Sequence, residues 1–389
     1  MSIRFLTAGD SHGEALVGIV EGIPAGVALD ERVVARELAR RRAPYGRSSR
    51  QKTEADIVTI AGGVWKGLTT GAPIGIILPN LARTVQGKTG GGMGTIPRPG
   101  HADFAGVMKY GLDEIPPVSE RASARSTAMR VAVGAVAKAC LGRLGIETVS
   151  HVLSIGEVRA PRRALSADAL RRRAAVSPVY CADPATGRRM VTAIRRAKSE
   201  GNSLGGSVEV IVTGLFPGLG SHVEWDRRLD GRLAGAMMSI QSVKAVEVGD
   251  GFSTHQARGI DAQDAMTLRR GRVTRATNRA GGIEGGMTNG EDVVLRAYAK
   301  PIPTAARRAP SFDLATLEPA ESPYVRSDTC VIPALAVIAE NVAAWEILRA
   351  VMEKLGGDSI DDTIAARERV VAVMTERLRA RRPARRTRP

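Results

Sequence analysis

The chain has 389 residues and a formal net charge of +16, with 43% hydrophobic but only 3% aromatic residues. That composition builds a substantial core and argues against a single-strand nucleic-acid binder, which needs aromatic stacking platforms. Apolar runs fall well short of the ~20 residues of a membrane span, and the N-terminus lacks a signal-peptide pattern. Cys140, Cys181 and Cys330 have no CxxC spacing, so neither zinc nor disulfides are expected and a cytoplasmic setting fits. The charge is uneven. The stretch RLRARRPARRTRP, 377–389, holds seven arginines and no acid, which leaves +9 for the body. The expected organisation is one domain over 1–376 and a solvated arginine tail over 377–389. A basic body suits anionic ligands, and phosphorylated or carboxylated small molecules fit it at least as well as nucleic acid.

In chain order, TAGDSHGEAL (7–16) places His12 among glycines and short polar residues, an open setting that ordinary turn chemistry also explains. Asp30 can cap a helix over ERVVARELARRR, whose final arginines suit the carbonyl end of the dipole. RRRAPYGRSSR then puts Arg41, Arg47 and Arg50 at and after the helix end. ADIVTIAG and APIGIIL read as strands. ARTVQGKT (82–89) resembles a phosphate-binding P-loop but has Ala82 where the first glycine belongs, and a glycine run follows instead of a helix. RPGHAD sets Arg98 beside His101. ERASAR brings Arg121 and Arg125 to a helix over 127–144 whose small residues imply close packing. Ser123 and Ser126 could cap that helix.

VSHVLSI places His151 on a strand. Segment 159–200, rich in arginine and alanine, reads as an excursion from the core. SVEVIVTGL, KAVEVG and EDVVLRAYA read as strands, and His222 and His255 as structural loop residues. In YVRSD, Arg326 lies two residues before Asp328, which could cap the next helix, over 333–357, opened by Pro333 and stopped by Gly356-Gly357. Strands and helices are mixed without regular alternation. This favours an α+β fold over a doubly wound sheet. Guanidinium groups bind carboxylate and phosphate bidentately. The loop arginines are therefore candidate anion ligands, each also explicable singly as a solvated surface residue.

Taken together, these segments resemble the chorismate synthase family. Its signatures stand here as GDSHGEALVGIVEGIP, ERASARSTAMRVAVGAV and RSDTCVIPALAVIAEN, with RRRAPYGR, RPGHAD, GGIEGGMTNG, KPIPT and WEI…EKLGGDSI in family order. The resemblance spans residues 3–362 and departs from the family at Gln241, Ser242 and Ala245 and in the loop before RPGHAD. It implies an α+β layered sandwich, a central helical layer between antiparallel β-sheets, assembled as a homotetramer. It further implies conversion of 5-enolpyruvylshikimate 3-phosphate to chorismate and phosphate, the last step of the shikimate pathway, requiring reduced FMN without net redox change.

Carried over by motif, Arg41, Arg47, Arg50, Arg98, Arg125 and Arg326 are the implied substrate ligands. His12 is the implied group supporting phosphate departure, and His101 the acid that keeps the reduced flavin protonated. An imidazole's reference pKa of about 6.5 makes both charge states accessible. Asp328 is implied in removal of the C6 proton through flavin N5. Implied FMN contacts are Arg121, Ala122, Ser123, Gln241, Ser242, Gly285, Lys300, Pro301, Ile302, Pro303, Thr304 and Arg326, with NADPH as a reductant near Arg41 and Arg47. Two other readings stay open at this point: a flavin-dependent oxidoreductase with net hydride transfer, and a basic nucleic-acid-binding protein acting through its tail.

Overall fold

Alternating apolar residues pair β1 (Arg4–Ala8) with β2 (Ala15–Glu21) across the loop that carries His12. Leu16 and Val20 of β2 face inward, while Val17 and Ile19 face out. This is the computed structural model of the chain, and it describes residues 3–47, 56–81, 94–161, 165–269, 272–303, 306–323 and 328–380. Helix α1 (Glu31–Arg42) starts as expected, with Asp30 accepting the Val33 N–H at 3.0 Å. β3 (Thr59–Gly62), a small hairpin of β4 (Val64–Trp65) and β5 (Leu68–Thr69), and β6 (Ile74–Pro79) follow. The first sheet is antiparallel with strand order β1-β2-β6-β3.

Three helices come next: α2 (Asp103–Tyr110), α3 (Pro116–Ala122) and α4 (Thr127–Arg143). β7 (Glu147–Ile155) and β8 (Val158–Arg159) precede α5 (Ala167–Ala175) and α6 (Pro184–Ser199). β9 (Gly206–Thr213), α7 (Leu229–Met238) and β10 (Val243–Val248) lead to the hairpins β11 (Met266–Arg269)–β12 (Arg272–Arg275) and β13 (Ile283–Glu284)–β14 (Met287–Thr288). β15 (Val293–Ala299) completes a second antiparallel sheet of order β10-β15-β9-β7-β8. After the β16 (Pro310–Phe312)–β17 (Pro319–Glu321) hairpin come α8 (Ile332–Leu355) and α9 (Ile360–Ala380). The element mix is α+β.

α4 and α8 are apolar nearly all round because they are buried nearly all round. Gly134 lets them cross closely, since a Cβ there would lie 2.4 Å from Asn341 Cβ. One buried polar knot ties the helices together. Glu340 of α8, 1% exposed, accepts from Arg40 of α1 (2.9 Å), Lys138 of α4 (2.5 Å) and Ser150 Oγ of β7 (2.7 Å). Asn341 donates to Glu37 of α1 at 3.0 Å. Burial alone would raise the Glu340 pKa, but the Lys138 and Arg40 cations hold it well below the usual carboxylate range. A cavity of about 420 Å³ opens beside this knot between Leu141, Ile146 and Ala174.

Two expectations change. Within segment 159–200, α6 joins the core, turning Met190 and Ile194 inward, one helical turn apart, while Arg188, Arg189, Arg195 and Arg196 take its outer face. Helix α9 also continues through Arg377 and Arg379 to Ala380, so the arginine stretch begins helical; residues 381–389 lie outside the described residues.

Removing the Glu340 charge leaves the two cations Arg40 and Lys138 to share Glu37, 2.7 and 3.0 Å away, as their one remaining carboxylate among the described residues. Glu340→Gln is expected to cost about 3–5 kcal/mol in chemical denaturation. A carboxyl with a depressed folded pKa contributes fully above its unfolded value of about 4.3 and loses that contribution on acidification. The variant should therefore lack part of the wild type's acid slope.

Candidate active site

Three groups fix the loop between β1 and β2. Asn80, in the loop just after β6, donates to the carbonyls of Asp10 (3.0 Å) and Gly13 (2.9 Å). Glu120 of α3 accepts the His12 backbone N–H at 2.7 Å, and its second oxygen lies 2.7 Å from His12 Nδ1. Arg121 donates to the carbonyls of Gly9 (3.0 Å) and Thr7 (2.9 Å). Asn80 also accepts from Arg125 Nε at 3.0 Å, so one buried amide couples the His12 loop to Arg125. Arg125 Nη1 reaches Asp56 at 2.5 Å.

Arg41, in the last turn of α1, is 1% exposed. It donates from Nε to Thr127 Oγ1 and from Nη2 to the Ala124 carbonyl, each at 3.1 Å. Its Nη1 is buried with no hydrogen-bond partner among the described residues, and so is Arg47 Nε. Arg47 Nη1 pairs with Asp328 at 2.9 Å. Burial first, then the Arg47 and Arg125 cations, press the Arg41 pKa down to about 9, against the pull of Asp56 and Asp328. The group is still cationic at neutral pH. Among the described residues three guanidiniums thus share two carboxylates, with two buried N–H donors unmatched. An unmatched buried donor costs about 1–3 kcal/mol, and an anion entering here would remove that cost.

A second group adjoins the first. Asp103, at the first position of α2, accepts from Arg98 Nε (2.7 Å) and Nη2 (2.9 Å) and lies 2.5 Å from His101 Nδ1. Burial would raise the Asp103 pKa, yet the hydrogen bonds from His101 and Arg98 hold it far below its ordinary value. Lys300 Nζ donates to the Gly100 carbonyl at 2.8 Å, and Gly100, at φ +78°, leaves room for it. Burial, and then nearby Lys244, lower the Lys300 pKa. Ser242, at φ 71°, accepts the Lys300 backbone N–H at 2.9 Å. Gln241 Nε2 donates to Ser126 Oγ at 3.0 Å, while its buried Oε1 lacks a partner among the described residues. Hydrogen bonds therefore run from the Arg125 turn through Ser126, Gln241, Ser242, Lys300 and Gly100 toward His101.

Most of the expected residues thus fall on one connected set. Ser123 Oγ accepts the Arg125 N–H at 3.3 Å, and Ala122 closes α3. Ser126 occupies the N-cap position of α4 without a side-chain cap bond. The Ile302 carbonyl accepts from Ser203 Oγ at 2.8 Å, between Pro301 and Pro303. Gly285 sits apart, in the β13–β14 turn at φ +59°, with nothing within 4 Å of a built Cβ. Asp328 does not cap α8: Val331 holds the N-cap position, and Arg47 has drawn the carboxylate to itself. Arg50, Thr304, Arg326 and the 82–89 stretch lie outside the described residues. His151 is on β7, 3.0 Å from Glu209, and His255 is in a 3₁₀ turn instead of a loop. Sequence reasoning missed Glu120, Asp103, Asn80, Asp56 and Lys244. The first two stand inside the quoted ERASAR and RPGHAD segments, whereas no pattern marks Asn80 or Asp56.

Among the described residues no group of three or more His, Cys, Asp or Glu side chains could hold a metal ion, and no helix is long and apolar enough to cross a membrane. The chorismate synthase family profile matches residues 3–352. The chain is 49% identical to a chorismate synthase of Desulforudis audaxviator, covering 98% of this chain and 99% of the relative. It is 48% identical to one of Kocuria rhizophila, covering 97% and 94%. A crystal structure of a chorismate synthase superposes with a TM-score of 0.81 at 35% identity, covering 97% of this chain and 99% of that one.

Inorganic phosphate should raise the melting temperature at neutral pH by several degrees, since a ligand at 100 times its Kd adds about 2.7 kcal/mol. Because the folded Arg41 pKa is depressed, protonated Arg41 is the costly form, and that cost fades as pH rises through about 9. The phosphate shift should shrink over the same range in thermal scans.

Proposed function

Because the chain belongs to the chorismate synthase family, and is thereby a carbon–oxygen lyase, we propose that it eliminates phosphate and the C6 proton from 5-enolpyruvylshikimate 3-phosphate. The product is chorismate, formed by anti-1,4-elimination as the last step of the shikimate pathway. The observation that carries this reading is the buried trio Arg41, Arg47 and Arg125, with unmatched donors on Arg41 Nη1 and Arg47 Nε. A substrate with two carboxylates and a phosphate supplies the acceptors these donors lack. Arg98, Arg50 and Arg326 complete the proposed ring of cations.

In the proposed reaction the C3–O bond breaks with its electron pair leaving on phosphate, the C6–H bond breaks, and a new double bond forms. His12 meets the departing phosphate with a proton or positive charge. Asp328, held by Arg47 at 2.9 Å, assists removal of the C6 proton. His101, its Nδ1 on Asp103, presents Nε2 for proton exchange. The residues fit an anionic flavin mononucleotide: Lys300 and Lys244 suit its phosphate, and Gln241 Oε1 is an acceptor without a donor. Arg121, Ala122, Ser123, Ser242, Gly285 and Pro301 to Thr304 would hold the rest. When bound in its reduced form, this cofactor supplies electron density to the breaking C–O bond with no net redox change. NADPH near Arg41 and Arg47 is the proposed reductant.

The architecture is read as a layer of α1, α4 and α8 between the two sheets. Phe5 of β1 packs edge-on to Trp345 of α8 at 4.9 Å, and Ser150 of β7 bonds Glu340 of the same helix. Homotetramer assembly is supported by the apolar outer face of the first sheet, where Leu6 is 73% and Ile19 49% exposed.

Anaerobic assays should release phosphate from 5-enolpyruvylshikimate 3-phosphate only with reduced FMN. Release without flavin would overturn the proposal. His12→Ala should slow turnover by about 10²–10⁴ if the imidazole acts as an acid; near-normal turnover would remove it from the reaction.

A further inference from the structure

Glu120 makes a two-point contact with His12, of which only the backbone half helps to fix the loop. One oxygen takes the His12 backbone N–H and the other faces His12 Nδ1, both at 2.7 Å. The pair is largely shielded, the side chains being 26% and 16% exposed. The loop has other anchors besides this contact, since Asn80 holds the Asp10 and Gly13 carbonyls and Arg121 holds those of Thr7 and Gly9. What Glu120 adds is control of the ring. An ionised carboxylate only accepts hydrogen bonds, so Nδ1 must carry the hydrogen. Any proton the ring hands on then comes from Nε2.

We infer that Glu120 is the positioning residue for His12: it fixes the imidazole's orientation and its Nδ1–H tautomer. The other charged groups around His12 are Asp10 and Glu14 on its own loop, Arg121 beside Glu120 on α3, and the Arg125–Asp56 pair behind Asn80. The inference deepens the lyase reading, because it matters to catalysis only if His12 acts on the leaving phosphate.

The experiment compares Glu120→Ala and Glu120→Gln with the full-length wild type. In ligand-free protein at pH ~8, where imidazole is mostly neutral, the ¹⁵N resonances of His12 should report the Nδ1–H tautomer. They are assigned from their loss in His12→Ala. In Glu120→Ala they should move to averaged tautomer values, with the melting temperature within a few degrees of wild type. Persistence of the Nδ1–H signature would overturn the inference. This readout uses neither substrate nor flavin, so it stands or falls separately from the lyase assignment. In the full assay Glu120→Ala should lower kcat roughly 10- to 100-fold, part of the span a general acid supplies, with KM changed less than about 3-fold. Glu120→Gln, which keeps an acceptor for Nδ1–H, should recover part of the loss. In a His12→Ala background Glu120→Ala should cost nothing more. An equal cost in both backgrounds would show a purely structural role and overturn the inference.

Discussion

The site depends on one electrostatic imbalance held away from water: among the described residues, Arg41, Arg47 and Arg125 are set against Asp56 and Asp328. Arg41 carries the strain of it. It has a hydroxyl and a carbonyl for partners but no carboxylate in hydrogen-bond contact. Like charges close by and the loss of hydration both depress its pKa. Such a group is stable only because the frame around it is stiff. That stiffness makes the imbalance useful, since an anion arriving there meets donors already oriented and dehydrated.

The frame and the site are built from the same helices. Arg40 and Arg41 are neighbours on α1 and point to different tasks. Arg40 turns into the Glu340 knot that binds α1, α4 and β7 to α8, and Arg41 turns toward Thr127 at the start of α4. Small residues on α4, Gly134 above all, let α8 come close enough for Asn341 to reach Glu37. The close packing of apolar helices thus fixes where the charged ends of α1 and α4 lie. The same economy recurs at Asn80, whose one amide serves the His12 loop and Arg125 together.

Much of this was legible in the residues. Asp30 announces α1, Gly356 ends α8, and the alternation in β2 and β6 marks strands with one buried face. The arginines and His12 announce themselves by sitting in glycine- and serine-rich loops. What escaped were the groups that act by pairing over long sequence separations. Glu120 is 108 residues from His12, and Asp56 is 69 from Arg125. No local pattern records such a pair, because the fold alone brings its members together. Asp328 was legible as a helix cap by position, but a buried arginine is the stronger partner. The arginine-rich segment 159–200 was misjudged because composition counts its exposed arginines and overlooks the single stripe holding Met190 and Ile194.

The proposed anion site at the Arg41 cluster is open to a binding measurement. Isothermal titration of 5-enolpyruvylshikimate 3-phosphate into wild type and Arg41→Met, with folding checked by circular dichroism, tests it most directly. The expected loss in binding is about 2–5 kcal/mol, or at least about 30-fold in Kd. A folded variant that binds within about 2-fold of wild type would contradict it.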